Sequence, residues 1–335
     1  MKALVVKPVE PLSLSATPIT GVDVFSYTRA LSTPLPTTLL GALGALLDIQ
    51  LSSIDPIQGI SELVSKVRQH LDCGDVVVKG PLVYFKVAGV GLVGPTIAIH
   101  TARFYKPECI VKGRVGYEIS GECRERVEHE PRVFVGIALQ RRDASGDKLV
   151  MPGFTYRYPL GLYRYVHKAG SKVESKYAEP AFVYALNCKE RVERAIVRFG
   201  GEGRVAEVYT SEEEELIKRA SLIKSPLEVD SGGVYIALAP IPLLAESEDS
   251  IYLDAVKGLE FCSDVVGVPQ IGPKPPKVVV ERLGLGYYEV SRTRRPQVLA
   301  LPAGTIVRAR PIDLGVVDLL KTLYMAGFAS LYPLQ

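Results

Sequence analysis

The stretch Phe199-Gly200-Gly201-Glu202-Gly203-Arg204 places three glycines around one glutamate and closes on an arginine. It follows Ala195-Ile196-Val197-Arg198, a largely apolar run that predicts a short strand. Glycine accepts a positive φ and lets another backbone approach closely, so the stretch predicts a tight turn. Two uses of this turn are open: its bare N–H groups hold an anion, or the turn packs against a neighbouring element.

The composition indicates a globular protein with a core large enough for two domains. The chain has 335 residues, of which 47% are hydrophobic and 23% are charged. This charged fraction is typical of a folded chain with an ordinary surface and argues against a disordered one. Domains usually span about 100–200 residues, so we expect one domain over residues 1–190 and a second over residues 191–335. We expect the first domain to contain a basic and aromatic insertion around residues 100–180.

The cysteines and the apolar segments predict where the protein works. The five cysteines form no C-x-x-C pair, and they are Cys73, Cys109, Cys123, Cys188 and Cys262. Their scatter argues against a zinc knuckle or a disulfide framework and is typical of a reducing compartment. No signal peptide is recognisable, and the apolar run over residues 234–244 is too short to span a bilayer. We expect a soluble, cytoplasmic protein with no metal and no cofactor.

Charge is unevenly distributed along the chain, although the net charge is only +3. Residues 101–200 carry 19 basic and 12 acidic side chains, a net charge of +7. Residues 206–264 carry 4 and 13, a net charge of −9, and residues 271–310 carry 8 and 2, a net charge of +6. Two interpretations are open: an uneven but solvated surface, or a polyanion-binding face built from the two basic segments.

Hydrophobic periodicity predicts an α+β fold made of short strands and helices. Residues 1–7 and 132–139 predict strands, and amphipathic spacing predicts a helix over residues 60–71. Acidic residues at the start of 212–223 predict another helix with Ser211 as its N-cap. Runs of strand, helix and strand occur twice, which favours two α+β units.

A further helix is predicted in Pro34-Leu35-Pro36-Thr37-Thr38-Leu39-Leu40-Gly41-Ala42-Leu43, because proline and threonine favour a helix start. Gly41 and Gly44 lie in its interior, where each costs about 1 kcal/mol relative to alanine. We expect a sheet to pack tightly against this helix. Residues 100–130 mix charges and aromatic rings without a clear period, and we expect an irregular surface insertion there.

Aromatic and basic side chains alternate after the strand predicted over residues 132–139. Such interleaving suits base stacking combined with phosphate contacts, and a pair of tyrosine-rich strands is the competing interpretation. The members of the cluster are Phe154, Tyr156, Arg157, Tyr158, Tyr163, Arg164, Tyr165, His167 and Lys168. Arg141 and Arg142 lie in the turn-prone segment before it and have the same two interpretations.

The segment Ser291-Arg292-Thr293-Arg294-Arg295-Pro296 holds three arginines in four residues and is the best chemical candidate for phosphate contacts. Lys274 and Lys277 belong to the same basic segment. A solvated run of charge is the alternative interpretation. Arg29, which precedes the glycine-containing helix, is a further candidate.

Familiar catalytic and nucleotide-binding motifs are missing, but four features in order resemble a known family. No G-x-G-x-x-G follows the first strand, and there is no Walker A motif, G-x-S-x-G or H-E-x-x-H. The chain resembles the third subunit of the Cmr effector complex of type III-B CRISPR systems, in the repeat-associated mysterious protein (RAMP) superfamily. The matching segments are 34–43, Val135-Gly136-Ile137-Ala138-Leu139, 199–204, and Leu301-Pro302-Ala303-Gly304-Thr305-Ile306-Val307 with Ala326-Gly327-Phe328. One departure is Gly284-Leu285-Gly286-Tyr287-Tyr288, where the family often has tryptophan after the glycine pair.

The resemblance implies a fold and a role. It implies two ferredoxin-like (RRM-like) modules and a non-catalytic subunit that holds the 5′ repeat-derived tag of the CRISPR RNA. Its neighbours would be the large polymerase-like Cas subunit and the backbone RAMP subunits. By carry-over, Gly200, Gly201, Gly203 and Arg204 lie near the RNA or between the modules. Arg204 is the side chain there expected to reach RNA, and Glu202 is expected to shape the turn.

Two other functions stay open at this point. One is a RAMP-type endoribonuclease that cuts repeat RNA, for which His167 is the candidate acid or base. The other is a scaffold without RNA contacts, whose acidic segment 206–264 docks a partner. No histidine lies early in the chain near a tyrosine and a lysine in an evident catalytic triad, so we expect no enzymatic activity.

Overall fold

The computed structural model describes residues 1–16, 29–100, 102–142, 147–169, 172–243, 245–246, 251–252, 258–312 and 318–334. Within these ranges the helices are α1 (Pro36–Leu46), α2 (Gln58–His70), α3 (Glu214–Ser221) and α4 (Asp318–Met325). The strands are β1 (Lys2–Pro8), β2 (Cys73–Val87), β3 (Gly91–Ile99), β4 (Arg103–Tyr105), β5 (Ile110–Gly113), β6 (Gly116–Ile119), β7 (Glu125–His129), β8 (Arg132–Arg142), β9 (Asp147–Leu160), β10 (Tyr163–Ala169), β11 (Lys172–Cys188), β12 (Ala195–Arg198), β13 (Val205–Ser211), β14 (Val234–Ala237), β15 (Ile241–Pro242), β16 (Ala245–Glu246), β17 (Ile251–Tyr252), β18 (Cys262–Gly267), β19 (Gln270–Ile271), β20 (Glu281–Gly284), β21 (Tyr287–Tyr288), β22 (Thr293–Arg294), β23 (Gln297–Leu301), β24 (Ile306–Ala309) and β25 (Leu331–Pro333). The mixture of helices and strands confirms the predicted α+β class.

The largest sheet has the strand order β10-β7-β4-β3-β2-β11-β1-β13-β12. β1 lies between β11 and β13 and is antiparallel to both, so that Val5 faces Val183 on one side and Tyr209 on the other. β11 pairs antiparallel with β2. Strands β1, β2, β11 and β13 form a four-stranded unit within this sheet. Numbered in chain order, they lie side by side in the order fourth, first, third and second. Strands β12 and β13 belong to this sheet although they follow residue 190, and the division of the chain at residue 190 stays a prediction.

A smaller sheet repeats this arrangement later in the chain. Its order is β18-β24-β14-β25, and every neighbouring pair is antiparallel. In chain order these strands are the second, third, first and fourth of their unit, and α4 connects the last two. In both sheets, the strand that comes first in chain order is thus central and lies between the third strand and the fourth.

The long strand β11 closes part of the large sheet on itself. Its first half pairs with β10 and its second half pairs with β2, which joins β2, β3, β4, β7, β10 and β11 in a ring. Three buried aromatic side chains meet in this ring, with Phe85 and Phe104 at 5.0 Å and Tyr163 at 5.4 and 5.8 Å from them, centroid to centroid. Tyr163 is thus a core residue on a paired strand, as the strand-pair interpretation expects, and its ring is not available to stack on a base.

Residues 100–130 are not irregular, contrary to expectation. They contain β4 to β7, and β4 and β7 belong to the ring. These strands have three to five residues and carry one or two buried apolar side chains each, such as Phe104 and Val127. So few apolar positions do not produce a recognisable period-2 pattern, which explains the error.

The two faces of β1 are covered by different layers. Leu4 and Val6 belong to a hydrophobic cluster that includes residues of α1, α2 and α4. Val5 belongs to a second cluster with Ile236 of β14 and Ile306 of β24. Because successive side chains of a strand point to opposite faces, a strand buried on both faces is apolar throughout, as this segment is.

Two details of the helices differ from expectation. A Cβ on Gly44 would lie 2.8 Å from Leu63 Cδ1, so the element that approaches this glycine closely is the helix α2 and not a sheet. The N-cap of α3 is Glu213, whereas Ser211 ends β13 and its hydroxyl accepts a hydrogen bond from the Glu213 N–H at 3.2 Å. Among the described residues no helix is long and apolar enough to cross a membrane.

The cysteines also contradict the sequence-based interpretation. Cys73 is bonded to Cys188, and Cys109 to Cys123, while Cys262 is a buried free thiol. Cys73 and Cys188 face each other on β2 and β11, which are 115 residues apart in sequence but adjacent in the sheet. Spacing along the chain does not reveal such a pair, because only the strand order brings the two residues together.

Candidate nucleic-acid interface

The glycine turn that follows β12 packs against an N-terminal segment of the same chain. Gly201 forms an isolated antiparallel bridge with Ser13, and its N–H donates to the Ser13 carbonyl at 2.9 Å. Gly200 has a φ of +84°, and a Cβ there would lie 2.8 Å from the same carbonyl oxygen. Gly203 also has a positive φ, but a Cβ on it would meet no atom within 4 Å. Gly200 and Gly201 therefore serve an internal contact, while Gly203 faces open space.

Arg204 is engaged within the protein. Its guanidinium forms an ion pair with Glu10, and the side chain is only 22% exposed. Its backbone carbonyl accepts a hydrogen bond from the Phe199 N–H at 2.7 Å, which closes the turn. The turn and its arginine thus hold the N-terminal segment in place, and the structure offers no free guanidinium at this position.

Arg29 joins a second internal contact. Its Nη2 lies 2.6 Å from Oε2 of the buried Glu281 in β20, and His100 Nε2 lies 4.0 Å from the same oxygen. Burial lowers the pKa of His100, and the Glu281 carboxylate opposes this shift. Since Glu281 is 5% exposed in its side chain, Arg29 acts first as the counter-charge of a buried carboxylate.

The predicted aromatic and basic cluster is divided between two places. Tyr163 and Tyr165 are buried on β10, where Arg164 donates to Glu130 at 2.5 Å. Lys168 is exposed at the far part of β10, and Arg157 is exposed on β9. Among the described residues β9 pairs only with β8, in a ribbon on which the rings of Phe134 and Tyr158 stack with their centroids 6.0 Å apart.

Arg141 and Arg142 lie near the end of that ribbon. Within β8 their backbones are paired with Lys148 and Asp147 of β9. The structure therefore makes them part of a strand and not of a loop, and their side chains lie outside the described set. The turn between them and β9, residues 143–146, also lies outside the described residues.

The arginine-rich segment 291–296 contains β22, the second strand of the small β21–β22 hairpin. Arg295 is only partly exposed, and its Nε donates to the Pro56 carbonyl at 3.3 Å. Its guanidinium lies over the ring of Tyr288, 5.0 Å from the centroid. Burial lowers the pKa of Arg295 from its ordinary value. Arg292 and Arg294 are exposed, so the three arginines divide into one anchor and two surface cations.

Lys274 and Lys277 are exposed in the segment between β19 and β20. The backbone at Lys277 is held by a bridge to Val268. The Val268 N–H donates to the Lys277 carbonyl with an N···O distance of 2.8 Å, and the Lys277 N–H donates to the Val268 carbonyl at 3.0 Å. Among the residues that the structure describes, no carboxylate lies within ion-pair distance of either ammonium group. Both lysines thus have a backbone that is held by hydrogen bonds and an exposed ammonium group that can bind an anion.

A neighbouring hairpin adds two cations that the sequence-based selection missed. β19 pairs in parallel with β6, and a Cβ on Gly116 would lie 3.2 Å from Cδ of Pro276. This contact places the exposed Lys112 and Arg114 of the β5–β6 hairpin beside the segment of Lys274 and Lys277. No described carboxylate pairs with Lys112 or Arg114 either. Their sequence signal is only the mixed charge of residues 100–130.

The cationic side chains differ in whether the protein itself supplies their partners. Internal partners hold Arg29, Arg164, Arg204 and Arg295. Four exposed cations without a carboxylate partner among the described residues lie together around β5–β6 and the 274–277 segment, and they are Lys112, Arg114, Lys274 and Lys277. Arg157 and Lys168 are also exposed, but they lie on β9 and β10. Arg292 and Arg294 are exposed on a separate element, the β21–β22 hairpin. A surface with this composition suits a polyanion, because phosphates supply the missing counter-charges.

Comparison with known proteins gives a likeness in fold. No model of a protein family matches this chain, and no curated protein matches it. Its fold is similar to that of a chain in the cryo-EM structure of the type III-B Cmr-beta bound to cognate target RNA, with a TM-score of 0.54 and 18% identity. A chain of the same complex bound to cognate target RNA and AMPPnP, state 1, gives a TM-score of 0.56 and 18% identity. In both cases the similarity covers 98% of this chain and 96% of the other.

Proposed function

We propose that this protein is a non-catalytic, RNA-binding structural subunit of a type III-B CRISPR effector complex, and that it holds the 5′ repeat-derived tag of the CRISPR RNA. The observation that carries the proposal is the exposed cationic surface formed by Lys112, Arg114, Lys274 and Lys277, which lacks acidic partners in the described part of the chain. The end-to-end likeness in fold to chains of RNA-bound Cmr complexes supports the same assignment.

The proposal includes a specific architecture. Both four-stranded units have their first strand in the centre, between the third and the fourth, with antiparallel neighbours throughout. This order supports two ferredoxin-like modules, with the strands β3 to β10 inserted into the first. The proposed partners are the CRISPR RNA, the large polymerase-like Cas subunit and the backbone RAMP subunits, in the cytoplasm.

Binding to RNA through phosphates has a measurable signature. Each phosphate contact on a single strand releases counterions, so the logarithm of the association constant falls with the logarithm of salt concentration by about 0.7 per contact. The test is fluorescence anisotropy of the full chain with a labelled RNA that carries the repeat-derived tag, over a series of salt concentrations. We expect the Lys274→Ala, Lys277→Ala double variant to reduce the slope by about 1.4.

Arg204→Ala is the matched control, because Arg204 is paired with Glu10 inside the protein. We expect it to leave the salt slope unchanged while it lowers the thermal midpoint. An unaltered slope in the double-lysine variant would remove these lysines from the interface. Failure of the wild-type chain to bind the RNA would refute the proposed function.

The competing endoribonuclease has a separate readout. His167 Nδ1 lies 3.7 Å from Glu125 Oε1, a pair that would orient the ring of a catalytic histidine. Incubation of the purified chain with repeat RNA in the absence of metal tests this function. Specific cleavage that is lost in His167→Ala would overturn the non-catalytic assignment, whereas intact RNA agrees with it.

A further inference from the structure

The β21–β22 hairpin has two faces with opposite environments. Tyr287 is opposite Arg294, and Tyr288 is opposite Thr293. Residues directly opposite in an antiparallel pair share a face, and successive residues alternate between faces. Tyr287 and Arg294 therefore lie on one face of the hairpin, and Tyr288 lies on the other.

The inner face fixes the hairpin to the segment that precedes and begins α2. Tyr288 is 1% exposed, and its hydroxyl donates to the Ser53 carbonyl at 2.5 Å. A Cβ on Gly59 would lie 2.4 Å from the Tyr288 ring, so the ring is in direct contact with the backbone of α2. Arg295 lies over the same ring and donates to Pro56. The side chains of Tyr288 and Arg295 thus attach this short hairpin to the segment around the start of α2.

The outer face presents an aromatic ring beside a cation. Tyr287 is 50% exposed, although an aromatic residue of this size is more often buried. Arg294 is exposed directly opposite it, and Arg292 is exposed in the turn with a φ of +52°. One acidic side chain, Glu289, is also in this turn, so the exposed groups of the hairpin carry a net positive charge.

We propose that this hairpin is a base-stacking platform, on which the ring of Tyr287 stacks against an unpaired RNA base while Arg294 contacts the adjacent phosphate. The proposal rests on the RNA-binding function and adds to it the form of the ligand: a single strand with at least one unstacked base. Ring stacking is tolerant of base identity, so the platform holds a strand without reading its sequence.

Pre-organisation distinguishes this platform from a freely moving surface tyrosine. The anchors Tyr288 and Arg295 immobilise the hairpin before any ligand arrives, so binding does not require the hairpin to be ordered. Arg294 is directly opposite Tyr287, where Cβ atoms are about 5 Å apart. This spacing allows one nucleotide to meet the ring with its base and the guanidinium with a phosphate.

The experiment compares Tyr287→Ala and Tyr287→Phe in the full chain, with a tag-bearing RNA that contains 2-aminopurine at successive positions. We expect Tyr287→Ala to weaken binding by about 5- to 100-fold with an unchanged salt slope, because a ring is lost and no charge is lost. Tyr287→Phe retains the ring and should retain the affinity. Quenching of 2-aminopurine at one or two positions should disappear in Tyr287→Ala and persist in Tyr287→Phe.

Arg294→Ala is the second variant and should reduce the salt slope by about 0.7. The thermal midpoint of each variant is measured as well, and it should stay close to the wild-type value because Tyr287 and Arg294 point away from the core.

Equal affinity and equal quenching in wild type and Tyr287→Ala would overturn the platform while the RNA-binding function stands. No binding of RNA by the wild-type chain would overturn both. Loss of binding to a partner subunit alone, with RNA affinity intact, would assign the hairpin to a protein contact and overturn the platform.

Discussion

Two glycines of one turn show how the surroundings of a residue decide its role. Gly200 and Gly203 both have a positive φ, of +84° and +67°. Only Gly200 lies against another backbone, at the Ser13 carbonyl. Their conformations are alike, but their neighbours differ, and a substitution separates the two effects.

We expect Gly200→Ala to destabilise the protein by about 2–3 kcal/mol, since it combines left-handed strain with a collision against backbone. Gly203→Ala is the matched control and should cost about 1 kcal/mol, because only the strain applies. Urea denaturation of both variants provides the comparison. Equal losses in the two variants would show that the contact with Ser13 contributes nothing.

At the scale of elements, α2 is tied to the segment before it by one carboxylate. Glu62 accepts hydrogen bonds from the Ser52 and Ser53 N–H groups at 3.0 and 2.9 Å and pairs with Lys66 at 2.8 Å. Lys66 and these backbone groups lower the pKa of Glu62 to about 2. The folded state therefore favours the ionised form of this side chain.

The consequence is a dependence of stability on pH with a definite sign. The pKa of Glu62 falls on folding from 4.5 to about 2, so its contribution is complete above pH 4.5 and is lost as the pH drops toward 2. We expect Glu62→Gln, which keeps an acceptor but removes the charge, to lower the thermal midpoint at pH 7. The difference from wild type should shrink between pH 5 and pH 3. A gap that is constant over this range would mean that the charge of Glu62 is not involved.

At the scale of the whole molecule, two disulfides cross-link the large sheet and the insertion in it. Cys73–Cys188 joins residues 115 positions apart, and Cys109–Cys123 joins residues 14 positions apart. In the chain-entropy model such closures stabilise by about 4–5 and about 3 kcal/mol, mainly by restricting the unfolded chain. Covalent closure of the long segment therefore affects the stability of the molecule as a whole.

A count of thiols tests this arrangement. Titration in denaturant without reductant should find one reactive thiol, that of Cys262, among the five cysteines. Addition of reductant should raise the count to five and lower the thermal midpoint of the native protein. Five thiols before reduction would restore the interpretation of a reducing compartment without disulfides.

Local sequence patterns predicted much of the scaffold. The strand at residues 1–7, the amphipathic helix at 60–71 and the strand at 132–139 all occur where expected, within a few residues. Their signals are local, since each depends on the spacing of apolar residues along one element. The ring strands between residues 100 and 130 escaped prediction because each buries only one or two apolar side chains.

The candidate site could be predicted only in part. A cationic residue is recognisable in sequence, but whether a carboxylate neutralises it depends on residues distant along the chain. Arg204 and Arg29 were selected as RNA contacts, yet Glu10 and Glu281 pair with them across 194 and 252 positions. Lys112 and Arg114 are recognisable as candidates only in the tertiary structure, because the pairing of β19 with β6 places them beside Lys274 and Lys277.

The sequence by itself determined the α+β class, the positions of most helices and core strands, the tight turn at 199–204 and the excess of positive charge in two segments. These properties are local, because they depend on φ preference, apolar spacing and the count of charges. Only the tertiary structure decided which cysteines are bonded, which arginines are neutralised and which face of the 287–294 hairpin is exposed. Each of these depends on a contact between residues far apart in sequence, and the strand order of the two sheets establishes those contacts.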